Sequence, residues 1–257
     1  MSYILAAIYS GQLGVILAFK GGTALRKCYF RGYRFSEDLD FTLLEQRGEA
    51  VIESQLEEAC TRAEKLISPF GRFRFIGQRQ VHRQDHPFGQ IDYRIQVEYP
   101  TGASLPIKVE ITRDEPVVLP LVKREIIHLF EGEDPNSQIY CYSLEEIAIE
   151  KLRAFLQARQ NLERRNWLNR PRDLYDLWYL YRQYEQRINW PALRQPLAAK
   201  ARVRGVSYDG ISDFKHPAVL SEYQRQWNSR LHSFVSELPA FEEAAIALDR
   251  ILERLFT

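Results

Sequence analysis

A glycine pair and two closely spaced acids stand where phosphate chemistry could be done. Lys20-Gly21-Gly22-Thr23 is followed by Asp38-Leu39-Asp40-Phe41. Leu39, Phe41 and Leu43 alternate with Asp38, Asp40 and Thr42, which reads as a strand. Residues i and i+2 of a strand share a face, so Asp38 and Asp40 point the same way, about 7 Å apart at their α-carbons. Carboxylates so placed can share one or two Mg²⁺ ions. A glycine pair lets backbone approach a ligand closely, and N–H groups opening a helix can meet phosphate. A phosphate cradle beside paired metal-binding carboxylates is what nucleotidyl transfer needs. A tight turn and two solvated acids on an edge strand would carry the same residues.

The elements around these residues follow from apolar spacing. Residues 15–19 are apolar and predict a short buried strand before the glycines; residues 23–29 predict a helix after them. Residues 1–13 read as an apolar helix packing on that strand. Residues 49–68 carry Val51, Ile52, Leu56, Ala59, Ala63 and Leu66 at helical spacing. Strands are expected over 72–77, 91–99 and 105–111, the last two antiparallel through the turn Pro100-Thr101-Gly102. Lys108 and Glu110 then share one strand face, as a surface ion pair or as part of a site. Residues 116–130 read as a loop and short strand.

The acidic, turn-rich stretch 131–136 is the expected boundary between an α/β part, residues 1–135, and a helical part, residues 136–257. Ser143 and Glu146 have capping-box spacing, and the helix they open should run to about Gln160. Leu144, Ile147, Ala148, Leu152 and Phe155 fall along one side of it with Lys151, the odd residue on an apolar stripe. Its amine either snorkels to water or meets a phosphate. Pro171 and Asp173 open the next helix, where Asp173 and Asp176 share a face. A first-turn acid also simply suits the helix dipole. Residues 191–200 predict a further helix. Residues 219–235 and 241–256 predict an αα-hairpin.

Composition excludes several classes. The chain has 257 residues, 45% apolar and 27% charged, with a net charge of +1, which argues against a surface uniformly adapted to nucleic acid. A local basic patch remains over residues 151–172, where Lys151, Arg153, Arg159, Arg164, Arg165, Arg170 and Arg172 stand against the single acid Glu163 with Trp167 among them; it is either a solvated helix end with a basic loop or a phosphate-tracking segment. No apolar run is long enough to span a membrane. Residues 1–19 lack a basic n-region and are not read as a signal peptide. Three dispersed cysteines suggest a reducing, cytoplasmic setting. His82 and His86 flank Asp85, but Pro87 and Gly89 argue for a loop there, not a metal-binding helix.

Lys20-Gly21-Gly22-Thr23-Ala24-Leu25-Arg26 and Ser36-Glu37-Asp38-Leu39-Asp40-Phe41 resemble the AbiEii/AbiGii nucleotidyltransferase toxins, which include the MenT-type tRNA-modifying toxins. Residues 145–154 and Arg172-Asp173-Leu174-Tyr175-Asp176-Leu177 fit the same family, so the resemblance spans residues 14–185. In that family a longer helical stretch precedes the first motif, and this chain begins later. The resemblance implies an α+β fold, a polymerase-β-like nucleotidyltransferase core with a mixed sheet, followed by a helical C-terminal half that completes the active cleft. It implies metal ligation by Asp38, Asp40 and Glu110, the last resembling the acid of the family's Lys-x-Asp motif with Glu in place of Asp. Catalytic roles extend to Lys151 and to Asp173, which helps to orient it. The nucleotide is expected to meet Lys20, Gly21, Gly22, Thr23, Lys108 and Lys151. The implied cofactor is Mg²⁺, with Mn²⁺ as the alternative, and the implied substrate is a nucleoside triphosphate. The tRNA 3′ end or another RNA is the expected acceptor, and a cognate antitoxin the expected partner. A protein-nucleotidylating enzyme, or a non-catalytic module binding nucleotide or antitoxin, is the alternative.

Overall fold

In a computed structural model, residues 1–80, 89–128, 138–163 and 170–257 are described. His82, Asp85 and His86, the acidic loop 131–136, and Arg164, Arg165 and Trp167 lie outside them. The chain divides into two units: Met1–Val117 with Leu121–Tyr142, and Val118–Pro120 with Ser143–Thr257.

The first unit opens with α1 (Ser2–Tyr9), which is apolar nearly all round and accordingly buried from Ser2 to Ile8. Then come α2 (Leu13–Ile16), β1 (Leu17–Lys20) and α3 (Gly21–Ala24), which widens into a π-helical turn over Leu25–Tyr29. Here the structure corrects two expectations. Val15 and Ile16 close a helical turn and do not open the strand, and Val15 is 73% exposed. Short apolar runs do not by periodicity distinguish strand from helix. The helix expected from Thr23 already begins at Gly21, so the glycines form its first turn.

The unit continues with β2 (Leu39–Leu43), α4 (Glu49–Ile67), β3 (Arg74–Gln80), β4 (Gln90–Glu98), β5 (Ser104–Thr112), β6 (Val122–Glu125) and β7 (Gln138–Cys141). Helix α4 buries Ile52, Leu56, Ala59, Cys60 and Ala63. Val51 and Leu66, expected on that face, flank it and are exposed. Among the described residues the strands form one mixed sheet, ordered β3-β4-β5-β2-β1-β7-β6. The β4–β5 hairpin pairs as expected. Less foreseeable is that β2 lies between β1, antiparallel, and β5, parallel.

The second unit contains α5 (Leu144–Glu163), α6 (Pro171–Tyr184), α7 (Arg194–Val203), α8 (Pro217–Leu231) and α9 (Phe241–Phe256). Ser143 Oγ accepts the Glu146 N–H at 3.1 Å, so the N-cap forms. The box is not reciprocal. The Glu146 carboxylate accepts instead from the Val118 and Leu119 N–H groups, at 3.1 and 2.9 Å, and pairs with Lys200 at 2.8 Å. Both charges are buried, and pairing is the condition for keeping them there. Helices α8 and α9 do not stack on each other as a hairpin: both pack on α6. They meet near their connection, where Trp227 and Phe241 are 5.7 Å apart. No described helix is long and apolar enough to cross a membrane. The fold is α+β.

Candidate active site

Gly21 has φ +76°, a conformation that only glycine adopts cheaply. A Cβ there would stand 2.4 Å from Asp40 Oδ2, and a Cβ at Gly22 would stand 2.4 Å from Arg34 Nη2. The bare turn thus admits a carboxylate on one residue and a guanidinium on the next. Thr23 is fully buried: its hydroxyl donates to the Asp38 carbonyl at 2.6 Å and lies 2.9 Å from Ser36 Oγ. It ties the lead-in of β2 to the glycine turn, so Asp38, one residue ahead of the strand, is positioned through its backbone.

Strand register then assembles the acids. Lys20 pairs with Asp40 between β1 and β2, Asp40 with Glu110 between β2 and β5, and Glu110 with Asp92 between β5 and β4. Directly paired residues share a face, with strands about 4.8 Å apart, so Asp40, Glu110 and Asp92 form one row on one side of the sheet. Lys108, two residues before Glu110, shares that face and forms an ion pair with it. Burial lowers the Lys108 pKa, but the hydrogen bond to Glu110 and the charges of Glu110, Asp92 and Asp38 outweigh it and raise the value overall. The acids therefore surround a lysine of their own.

Asp92 was not singled out by sequence. It is only 3% exposed and accepts from Gln90 Nε2 at 2.7 Å. Its signal was faint: an acid at a polar position of an alternating strand. Glu115 was missed too. Lys20, expected to meet nucleotide, is buried, with its ammonium 2.5 Å from Glu115 Oε2 and 3.3 Å from Thr112 Oγ1. Arg34 had no sequence signal beyond its basic type.

The donor set of hard carboxylate oxygens on one sheet face fits a hard divalent cation in chemistry. Among the described residues, however, no three carboxylate, imidazole or thiolate groups already form a metal cluster. Glu110 is engaged by Lys108 through Oε1.

In the helical unit, Lys151 of α5 sits 2.5 Å from Asp173 Oδ1 and 3.0 Å from Asp176 Oδ2 of α6. Asp173 is 3% exposed and Asp176 not at all. Asp176 is thus as much a partner of Lys151 as Asp173, although sequence ranked it lower. Asp173 Oδ2 has no hydrogen-bond partner among the described residues. The Tyr223 hydroxyl nearby, also missed, has its pKa raised by burial and then by the Asp173 charge.

Comparison with known proteins bears on these motifs. No curated protein matches the chain. Its structure is similar to MenT4, a nucleotidyltransferase toxin from Mycobacterium tuberculosis H37Rv, with a TM-score of 0.61 and 20% identity over 99% of this chain and 80% of that one. At that identity the likeness is one of fold. The family model described as nucleotidyl transferase AbiEii toxin, type IV TA system, matches residues 3–254. That span takes in the glycine turn, the carboxylate row and the Lys151 cluster alike, and the chain belongs to the AbiEii family of nucleotidyltransferase toxins of type IV toxin–antitoxin systems.

Proposed function

We propose that this toxin transfers a nucleoside monophosphate from a nucleoside triphosphate to an acceptor hydroxyl of RNA, the tRNA 3′ end being the intended acceptor. The observation that supports this best is the carboxylate row ending against the bare Gly21 turn. Gly21 and Gly22 offer backbone to the phosphates, and Lys108 supplies a cation on the same sheet face. Mg²⁺, or Mn²⁺ in its place, held by Asp38 and Asp40 with Glu110, would supply Lewis acidity to the phosphate oxygens. The acceptor oxygen attacks the α-phosphorus in line, the bond to the β-phosphate oxygen breaks, and pyrophosphate leaves with that electron pair. The hydroxyl proton passes to a carboxylate of the row. Lys151 carries charge for the triphosphate, its ammonium set by Asp173 and Asp176. Family membership implies an antitoxin partner; the toxin is taken to act in the cytoplasm.

The test is incubation with α-labelled nucleoside triphosphates, Mg²⁺, total tRNA and cell lysate. Label should enter RNA, and Asp40→Ala should abolish it. Label confined to protein would replace the acceptor with a side chain. Tight nucleotide binding without any transfer would reduce the protein to a binding module.

A further inference from the structure

The helical unit holds a cavity of about 650 Å³, apart from every residue assigned above. That lies within the roughly 300–1,000 Å³ of small-molecule sites. Its floor is Ala198, Ala201 and Val206, and its walls are Tyr208 and Phe256, edge to face with centroids 6.0 Å apart. The Arg194 guanidinium lies 5.1 Å over the Phe256 ring. Arg194 and Arg202 line the cavity against a single carboxylate, Asp209, and all three are exposed.

The wall is held in place. Tyr208 donates to the Arg194 carbonyl at 3.3 Å and packs edge-on against Phe214. The Asp213 carboxylate accepts the Asp209 and Gly210 N–H groups at 2.8 and 3.1 Å and pairs with Arg159 of α5. Gln160, next on α5, donates to the Gly205 carbonyl at 2.9 Å. Residues 205–210 are thus pinned at both ends by α5, and a pre-formed wall costs less ordering on binding.

Flat aromatic and guanidinium surfaces take a planar base, and every base has a π face to offer. Two arginines take a phosphate by their forked donors, while Asp209 accepts from a base amino group. A lipid tail would find a charged rim, and an acidic peptide has no use for the ring walls. We propose that this cavity receives one nucleotide of the RNA acceptor, its base against Tyr208 and the Arg194–Phe256 pair and its phosphate on Arg194 and Arg202. The proposal rests on the RNA-acceptor reading given above.

The test compares wild type with the Arg194→Glu, Arg202→Glu double variant. Both positions are exposed, so the fold should survive, as the melting curve would report. Filter binding of total tRNA over a salt series should weaken at least about tenfold, with the slope of log K against log salt shallower by about 0.7 for the one phosphate contacted. The KM for nucleoside triphosphate should stay put. Equal tRNA affinity and an unchanged slope in the variant overturn the proposal, as does a wild type that binds no RNA. Free nucleoside monophosphate lost by the variant without change in RNA affinity makes this a small-molecule site and also overturns it. A wild type that binds RNA through these arginines yet labels none sinks the transfer reaction and leaves the cavity assignment standing.

Discussion

Replacing Gly21 with alanine separates two effects that usually travel together. The residue has φ +76°, so a side chain costs about 1–2 kcal/mol in backbone strain. The new Cβ would also stand 2.4 Å from Asp40 Oδ2, against 3.4 Å for ordinary contact, so the carboxylate must retreat by about 1 Å. Misplacement on that scale costs on the order of 100-fold in rate. Gly102 is the control: its φ is +83° and nothing lies within 4 Å of a Cβ there. Gly102→Ala therefore meets strain without a clash. Both variants should melt about 2–8 °C below wild type, at about 2–4 °C per kcal/mol. Only Gly21→Ala should also lose roughly 100-fold or more in label transfer from α-labelled nucleoside triphosphate. A Gly21→Ala protein that melts like Gly102→Ala and transfers at the wild-type rate would refute the claim that Asp40 must sit where it does.

Other perturbations address separate parts of the molecule. Asp40→Asn should abolish transfer while leaving the melting curve near wild type; undiminished transfer would remove Asp40 from the site. Lys151→Ala removes the ammonium that lies 2.5 Å from Asp173 and 3.0 Å from Asp176 and should destabilise the protein by about 3–5 kcal/mol in urea titrations, with part regained on adding Asp176→Asn. Equal stability of the single variant and wild type would contradict that pairing. Lys108→Gln frees Glu110 and should tighten Mn²⁺ binding, read by electron paramagnetic resonance without nucleotide, whereas Glu110→Gln should weaken it; no change in either would take Glu110 out of the donor set. Burial, and then Glu64 and Glu57, push the Cys60 thiol up to about 12. A folded-state value above the unfolded one means stability fully present below the ordinary thiol pKa and lost as pH climbs through about 12. Cys60→Ala should accordingly flatten the alkaline unfolding limb followed by circular dichroism, and an identical limb would contradict the shift.

Several parts of the site can be read without coordinates because their signals are local. The Gly21-Gly22 turn, the Ser143 cap and the β4–β5 turn each depend on a few neighbouring residues, and each forms; of the two close acids only Asp40 lies on β2, which begins at Leu39. Lys151 stood out as a charge on an apolar stripe, and its pairing with Asp173 follows from one helix packing on the next. Helix and strand ends were less legible. Val15 shows why, since an apolar residue beside a strand does not declare whether it points inward. Asp92, Glu115 and Arg34 belong to another category. Lys20 and Glu115 are 95 residues apart in the chain and 2.5 Å apart at their charges. Asp40 meets Glu110 through a parallel pairing of β2 with β5, which no turn encodes. Residue types and their spacing declare which groups can do chemistry. Which of them meet is set by strand order and register, because a side chain's neighbours across a sheet come from distant segments whose alignment is decided by packing the whole core.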